Sequence, residues 1–183
     1  MSYKTKLKKI KNFVFDVDGV FTDGSIIVDS EGNELRKFDT RDGIAVKLAT
    51  DLGYKICVIS GGNNEGVRKR LNRLGVNDVY LGVDNKKIIY EEFLSKYKLN
   101  NSETVYMGDD LPDISVLKIC GLSTCPNDAS NEVRLVAEYI SIKDGGKGCV
   151  RDVIEQTLKV QDNWKLNKSS KNIKWIIGKK NIH

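Results

Sequence analysis

The sequence predicts an α/β domain: a doubly wound, Rossmann-like, mostly parallel sheet with a β-hairpin inserted after the first strand. Short apolar runs alternate with amphipathic stretches of helical period from residue 12 to residue 160. Glycine or a polar cluster ends most of the apolar runs. Carboxylates gather at several of those ends, where open parallel sheets keep their ligand crevice.

The first run, Phe13-Val14-Phe15, suits a strand buried on both faces, and Asp16, Asp18 and Gly19 follow at its emerging end. Residues 25–39 read as a hairpin, with Ile26–Val28 and Glu34–Phe38 as arms around a turn at Asp29–Asn33. A lone hairpin is marginal in water, so its arms are expected to pair with another subunit. From Asp42, Ala45, Leu48, Ala49 and Leu52 share a helical face, with Gly53 as the stop. A strand at 54–59 ends at Ser60-Gly61-Gly62. Helix 64–74, strand 79–82, helix 85–98 and strand 104–107 follow, the last ending in Gly108-Asp109-Asp110-Leu111-Pro112-Asp113. A short helix to Cys120, strand 122–125, helix 130–137, strand 139–142 and helix 147–160 complete the pattern. This makes residues 1–162 one domain and 163–183 an appended tail.

Composition narrows the function classes. The only histidine is His183, the last residue of the sequence, so a mechanism built on a positioned imidazole is not expected. The cysteines at 57, 120, 125 and 149 form no Cys-x-x-Cys pair and read as reduced, mostly buried thiols rather than a zinc site. The tail holds lysines at 165, 168, 171, 174, 179 and 180 and no acid, which exceeds the net charge of +5. The preceding residues are therefore slightly acidic, and no nucleic-acid-binding face is expected. The tail itself reads as a mobile extension, with Trp175, Ile176 and Ile177 as a possible docking segment. No apolar run reaches the length of a membrane span, and the basic N-terminus lacks the apolar core of a signal peptide, so a cytoplasmic, membrane-free protein is expected.

The strand ends bring together Asp16, Asp18, Ser60, the region of Lys86, Asp109 and Asp113. Asp16, Asp18 and Asp109 can share one Mg²⁺, a hard cation that takes a few carboxylates and keeps room for waters and a phosphate oxygen. Ser60 can hydrogen-bond a phosphate, and Lys86 can set a point charge against it. One aspartate can then attack phosphorus while another handles the proton. Phosphoryl transfer asks mainly for positioning and charge neutralisation, which suits a site without histidine.

Asp16-Val17-Asp18-Gly19-Val20, Ser60-Gly61, Lys86, and Gly108-Asp109-Asp110 with Asp113 resemble the motifs of the haloacid dehalogenase superfamily, in their usual order. The resemblance implies that Asp16 is the nucleophile and Asp18 the general acid/base. It implies that Ser60, Gly61 and Lys86 hold the phosphate. It gives Mg²⁺ to Asp16, the backbone carbonyl of Asp18 and Asp109, with Asp110 and Asp113 behind them. Only a hairpin follows the first motif, so the form is one without a cap domain.

Phe21-Thr22-Asp23-Gly24, the hairpin, Phe38, Arg41-Asp42-Gly43 and Gly145-Gly146-Lys147-Gly148-Cys149-Val150-Arg151 narrow the resemblance to the 3-deoxy-D-manno-octulosonate 8-phosphate (KDO 8-phosphate) phosphatase family. That implies hydrolysis of a phosphorylated sugar acid for lipopolysaccharide synthesis. It also implies a homotetramer in which a neighbour caps each site, and a substrate-facing role for Arg151. One position departs: many members carry arginine after the Ser/Thr-Gly of the second motif, and here it is Gly62. A related branch acts on nine-carbon, sialic-acid-like 9-phosphates, so a phosphatase of such a sugar or of sugars broadly is the alternative. A non-catalytic phosphate-binding or assembly module is the alternative of another class.

Overall fold

The structure is a computed structural model, and residues 2–164 are described. A six-stranded parallel sheet forms the centre: β1 (Asn12–Phe15), β4 (Lys55–Ile59), β5 (Asp78–Tyr80), β6 (Thr104–Met107), β7 (Leu122–Cys125) and β8 (Tyr139–Ile140). Its order is β5-β4-β1-β6-β7-β8. β1 pairs with β4 on one side and β6 on the other, Phe15 aligning with Val58 and with Met107. The chain winds one way through β4 and β5 and the other way through β6, β7 and β8. The reversal lies between β1 and β6, where such sheets open a crevice at their carboxyl ends.

All of β1 is buried, because helices cover both faces. Phe13, Phe15, Val58, Val105 and Met107 pack with α1 (Tyr3–Leu7), α2 (Thr40–Asp51), α3 (Glu65–Asn72) and α7 (Cys149–Val160). Val14, Cys57, Ile59 and Tyr106 face the other way, onto α4 (Lys86–Tyr97), α5 (Ile114–Leu117) and α6 (Asn131–Val136). This is the period-two alternation of a strand, read out as two separate cores. The helices start where polar side chains can take orphan backbone N–H groups: Asp39 caps α2, Asn64 caps α3 and Asn85 caps α4.

The doubly wound expectation holds, with differences at the margins. The hairpin is shorter than expected: β2 (Ile27–Val28) and β3 (Glu34–Leu35) are all that pair. Its turn is held by Asp29, whose Oδ1 accepts the N–H groups of Glu31 and Asn33. Helix α1 was not expected, since the lysine-rich start shows little apolar period; it forms where Ser2 caps it and Leu7 reaches the core. All four cysteines are free thiols, and burial raises each above its ordinary pKa, which leaves them poor nucleophiles. Of the tail, only Asn163 and Trp164 fall among the described residues, and the expectations for its mobility and for Trp175–Ile177 lie outside them.

Candidate active site

The carboxyl ends of β1, β4 and β6 and the start of α4 bring most of the expected residues into one cluster. Asp16 directly follows β1, and its N–H continues the ladder to the Met107 carbonyl at 3.0 Å. Lys86 is the first residue of α4, and its side chain is only 4% exposed. Its Nζ lies 3.0 Å from Asp16 Oδ2 and 2.8 Å from Asp113 Oδ1. The neighbouring lysine is different: Lys87 is exposed and reaches only Glu91 of its own helix, at 3.8 Å.

Asp113 is fully buried. Beside Lys86 it accepts the Tyr106 hydroxyl at 2.5 Å and the N–H groups of Asp109 and Asp110 at 3.1 and 3.4 Å. Its acceptor capacity is taken up in holding Lys86 and shaping the loop after β6. Asp110 turns outward, its Oδ1 accepting the Leu111 N–H at 2.8 Å, and closes a capping box with Asp113 around the turn at Leu111–Asp113. Gly108 has to be small here, because a Cβ would come within 2.2 Å of Asp113 Cγ.

Asp16, Asp109 and Asp113 offer carboxylate oxygens that lie within 4.8 Å of one another. Burial, together with the neighbouring carboxylates, raises the Asp16 and Asp109 pKa values above the usual range. For Lys86, burial acts to lower the pKa, but the charges of Asp16 and Asp113 outweigh it and the value is raised. One buried ammonium is too little positive charge for three carboxylates. A hard cation against Asp16 and Asp109 would supply the rest, and an all-oxygen donor set fits Mg²⁺. The chemistry of the cluster therefore fits the metal.

Ser60 is buried at the end of β4. Its Oγ accepts the Gly62 N–H at 3.1 Å, so it organises the turn there rather than capping α3, the role Asn64 takes. Asp18 is not one of the three grouped carboxylates, and its carboxylate lies on the Gly62 side with Ser60. Its Oδ1 accepts Arg36 Nε at 2.8 Å and its Oδ2 accepts Arg36 Nη2 at 3.3 Å, a two-point pair with the hairpin. Arg36 was missed, because nothing in an alternating hairpin arm marks it; its one signal was the absence of a side chain at Gly62. Tyr106 was also missed, since a tyrosine inside an apolar strand reads as core.

The Arg151 side chain makes its contacts within α7 and with Trp164. Its Nε lies 2.9 Å from Glu155 Oε2 one turn along α7, and its guanidinium sits 5.4 Å from the Trp164 ring centre. A carboxylate at i+4 and an aromatic face hold the side chain along its own helix. Gly145 and Gly146 before it are packed rather than loose, while Gly148 has open space at its Cβ position. A Cβ on Gly145 would fall 2.0 Å from the Gly19 carbonyl oxygen, and Gly146 N donates to the Val20 carbonyl at 2.9 Å. The 145–148 loop thus braces the backbone that carries Asp16 and Asp18.

A haloacid dehalogenase-like hydrolase family model matches residues 39–121. The chain is 34% identical to the KDO 8-phosphate phosphatase KdsC of Salmonella typhi over 157 residues, 86% of this chain and 84% of the relative. It is 31% identical to the enzyme of the same name from Haemophilus influenzae over 156 residues, 85% of this chain and 87% of the relative. Among solved structures, the Moraxella catarrhalis KDO 8-phosphate phosphatase in complex with magnesium, phosphate and KDO superposes with a TM-score of 0.85 at 35% identity, covering 87% of this chain and 92% of that one. The Yersinia pestis phosphatase of that name gives 0.86 at 32% identity, covering 87% and 86%. On a likeness that runs through most of its length, the chain belongs to the KDO 8-phosphate phosphatase family of haloacid dehalogenase-like hydrolases.

Proposed function

We propose that this protein is a Mg²⁺-dependent phosphatase that hydrolyses KDO 8-phosphate to the free sugar acid and phosphate. The observation that carries the reading is the buried Lys86 bridging Asp16 and Asp113 beside Asp109, a cluster with fewer cations than carboxylates, whose oxygens could hold a metal ion. The relative crystallised with magnesium, phosphate and KDO supports the same ligands here.

In this reading Asp16, Asp109 and the backbone carbonyl of Asp18 hold Mg²⁺, which neutralises phosphate charge when bound. Ser60 Oγ, the backbone at Gly61 and Lys86 Nζ orient the phosphate. A carboxylate oxygen of Asp16 attacks phosphorus, the bond from phosphorus to the sugar oxygen breaks, and Asp18 gives that oxygen a proton. Water then attacks phosphorus of the aspartyl-phosphate, Asp18 takes back a proton, and Asp16 is restored. Asp113 positions Lys86, and Asp110 shapes the loop.

The domain is 1–162, with the hairpin in place of a cap. Ile27, Val28 and Leu35 on the hairpin are 61%, 61% and 57% exposed, which supports burial against other copies and a homotetramer whose neighbour covers the site. No helix among the described residues is long and apolar enough to cross a membrane, and a cytoplasmic place in lipopolysaccharide precursor synthesis fits the substrate.

The test is phosphate release from a panel of esters that includes KDO 8-phosphate and a nine-carbon sugar acid 9-phosphate, ranked by kcat/KM. KDO 8-phosphate is expected to rank first, EDTA to stop release, and Asp16→Asn to fold yet not turn over. Turnover by that variant would sink the nucleophile. A 9-phosphate in first place would move the protein to the other sugar.

A further inference from the structure

Arg36 lies on the hairpin, just past β3, yet its side chain is 4% exposed. Its Nε and Nη2 meet Asp18 at 2.8 and 3.3 Å, and its Nη1 meets Glu34 at 3.0 Å. The guanidinium fills the space beside Gly62: a Cβ there would stand 3.1 Å from Asp18 Oδ2 and 3.2 Å from Arg36 Nη2. The same turn grips the hairpin a second time, Asn64 Nδ2 donating to the Glu34 carbonyl at 2.8 Å. A bare glycine at the end of β4 and an arginine folded in from the hairpin are therefore complementary.

We infer that Arg36 is a positioning residue for Asp18: the shorter bond from Nε holds Oδ1 in place, while Oδ2, at the longer 3.3 Å contact, carries the proton exchanged with the leaving oxygen. This rests on the phosphatase reading above. The alternative, that Arg36 grips the substrate's own carboxylate, is disfavoured by occupancy, because Nε and both Nη atoms already face carboxylates. Two-point pairing fixes the plane of a carboxylate as well as its place, which a lysine cannot do. A proton has to be delivered along one direction to the leaving oxygen, so an Asp18 free to rotate would transfer it poorly.

The leaving group provides the test. An alkoxide leaving a sugar needs a proton, whereas p-nitrophenolate leaves without one. First-turnover rates and KM are measured with KDO 8-phosphate and with p-nitrophenyl phosphate for the wild type, Arg36→Ala, Arg36→Lys and Asn64→Asp. The last keeps the α3 cap, removes the donor to Glu34 and sets a carboxylate against that carbonyl, so it loosens this second grip on the hairpin. Arg36→Ala is expected to slow the first turnover of the sugar ester about a hundredfold, within the range of general acid catalysis. Its KM should shift less than about threefold, and p-nitrophenolate should still be released in a first-turnover burst near the wild-type rate. Arg36→Lys should recover part of the loss, and Asn64→Asp should leave the ratio between the two esters unchanged. A raised KM with an unchanged rate would make Arg36 a substrate contact and overturn the inference. So would an equal loss on both esters, the same selective loss in Asn64→Asp, or no loss at all. Wild-type protein inert on both esters would instead sink the phosphatase reading, and the inference with it.

Discussion

Asp109 rests its carboxylate against the backbone of Gly19: a Cβ on that glycine would lie 2.0 Å from Asp109 Oδ2. Gly19 also has a φ of +85°, a conformation in which a side chain is strained. The loop after β1 and the loop after β6 thus close on each other with no atom to spare, and the carboxylates proposed to share a cation come from these two loops. Gly19→Ala should cost about 1–2 kcal/mol from the backbone alone and more from displacing Asp109. The sharper expectation concerns metal: Mg²⁺ should raise the melting temperature of the wild type and leave that of Gly19→Ala almost unmoved. An equal rise in both would show that Asp109 is not a ligand.

Lys86 is buried between Asp16 and Asp113, and it is worth most as the partner of charges that have nowhere else to turn. Removing one member of such a group leaves uncompensated buried charge, a cost of about 3–5 kcal/mol. Asp16 can take a proton when Lys86 is gone, so Lys86→Met should fall at the lower end of that range. Urea unfolding above pH 7 measures it. The rate of phosphate release should drop by about 10²–10³, the size of losing one preorganised electrostatic donor. Full activity in Lys86→Met would remove the lysine from phosphate binding.

Asp16 and Asp109 make stability and metal binding depend on pH in opposite senses. Both folded-state pKa values are raised, by burial and by neighbouring carboxylates. A raised carboxyl contributes stability that is fully present below its unfolded value, about 3.9, and is lost as pH rises through the folded value. Metal-free protein should therefore lose stability from these two groups as pH climbs out of the acid range. Mg²⁺ requires the ionised carboxylates, so the shift in melting temperature that it produces should grow across the same range and shrink on acidification. Saturating Mg²⁺ at a hundred times its Kd would add about 2.7 kcal/mol. A Mg²⁺-induced shift that does not change with pH would show that the cation binds elsewhere.

Much of this was legible in the chain. Asp16, Ser60, Lys86, Asp109 and Asp113 are local to strand ends or helix starts, and a strand end is marked in sequence by where the apolar run stops. Lys86 could be preferred to Lys87 on pattern, and the structure buries the first and exposes the second. The misses are side chains whose partners lie far along the chain or across a turn. The Arg36–Asp18 pair spans 18 residues and exists only once the hairpin folds back onto the rim. Helix α1 depends on contact with α7, from which Gln156 accepts the Tyr3 hydroxyl at 2.9 Å, and its own apolar pattern is too sparse to announce it. Arg151 sits at the expected place in the backbone, but its rotamer follows Glu155 and Trp164. Sequence motifs place backbones, and side-chain direction is decided by packing.

Asp42 carries the last prediction. It lies in the first turn of α2, is 1% exposed, and accepts the Arg151 N–H at 2.7 Å, so it caps α7 from another helix. Gly148, at the local cap position, has no side chain to do so. Asp42 Oδ2 is buried without a hydrogen-bond partner, and burial raises the carboxyl pKa to about 6. By the same sign rule, the stability this group contributes is complete below about pH 4 and is lost as pH rises through about 6. The size, from the displacement of the pKa, is on the order of 2–3 kcal/mol. Asp42→Asn keeps the acceptor for Arg151 and abolishes the titration. Comparing urea unfolding of the two proteins at pH 5 and pH 7.5, without metal, cancels the other titrating groups. The wild type should lose stability relative to the variant between those values. Asp42→Ala removes the acceptor as well and should be less stable than Asp42→Asn at both, by about 1–3 kcal/mol for the orphaned N–H. A constant difference between wild type and Asp42→Asn would mean that Asp42 stays ionised throughout, held by the end of α7 more strongly than burial opposes it.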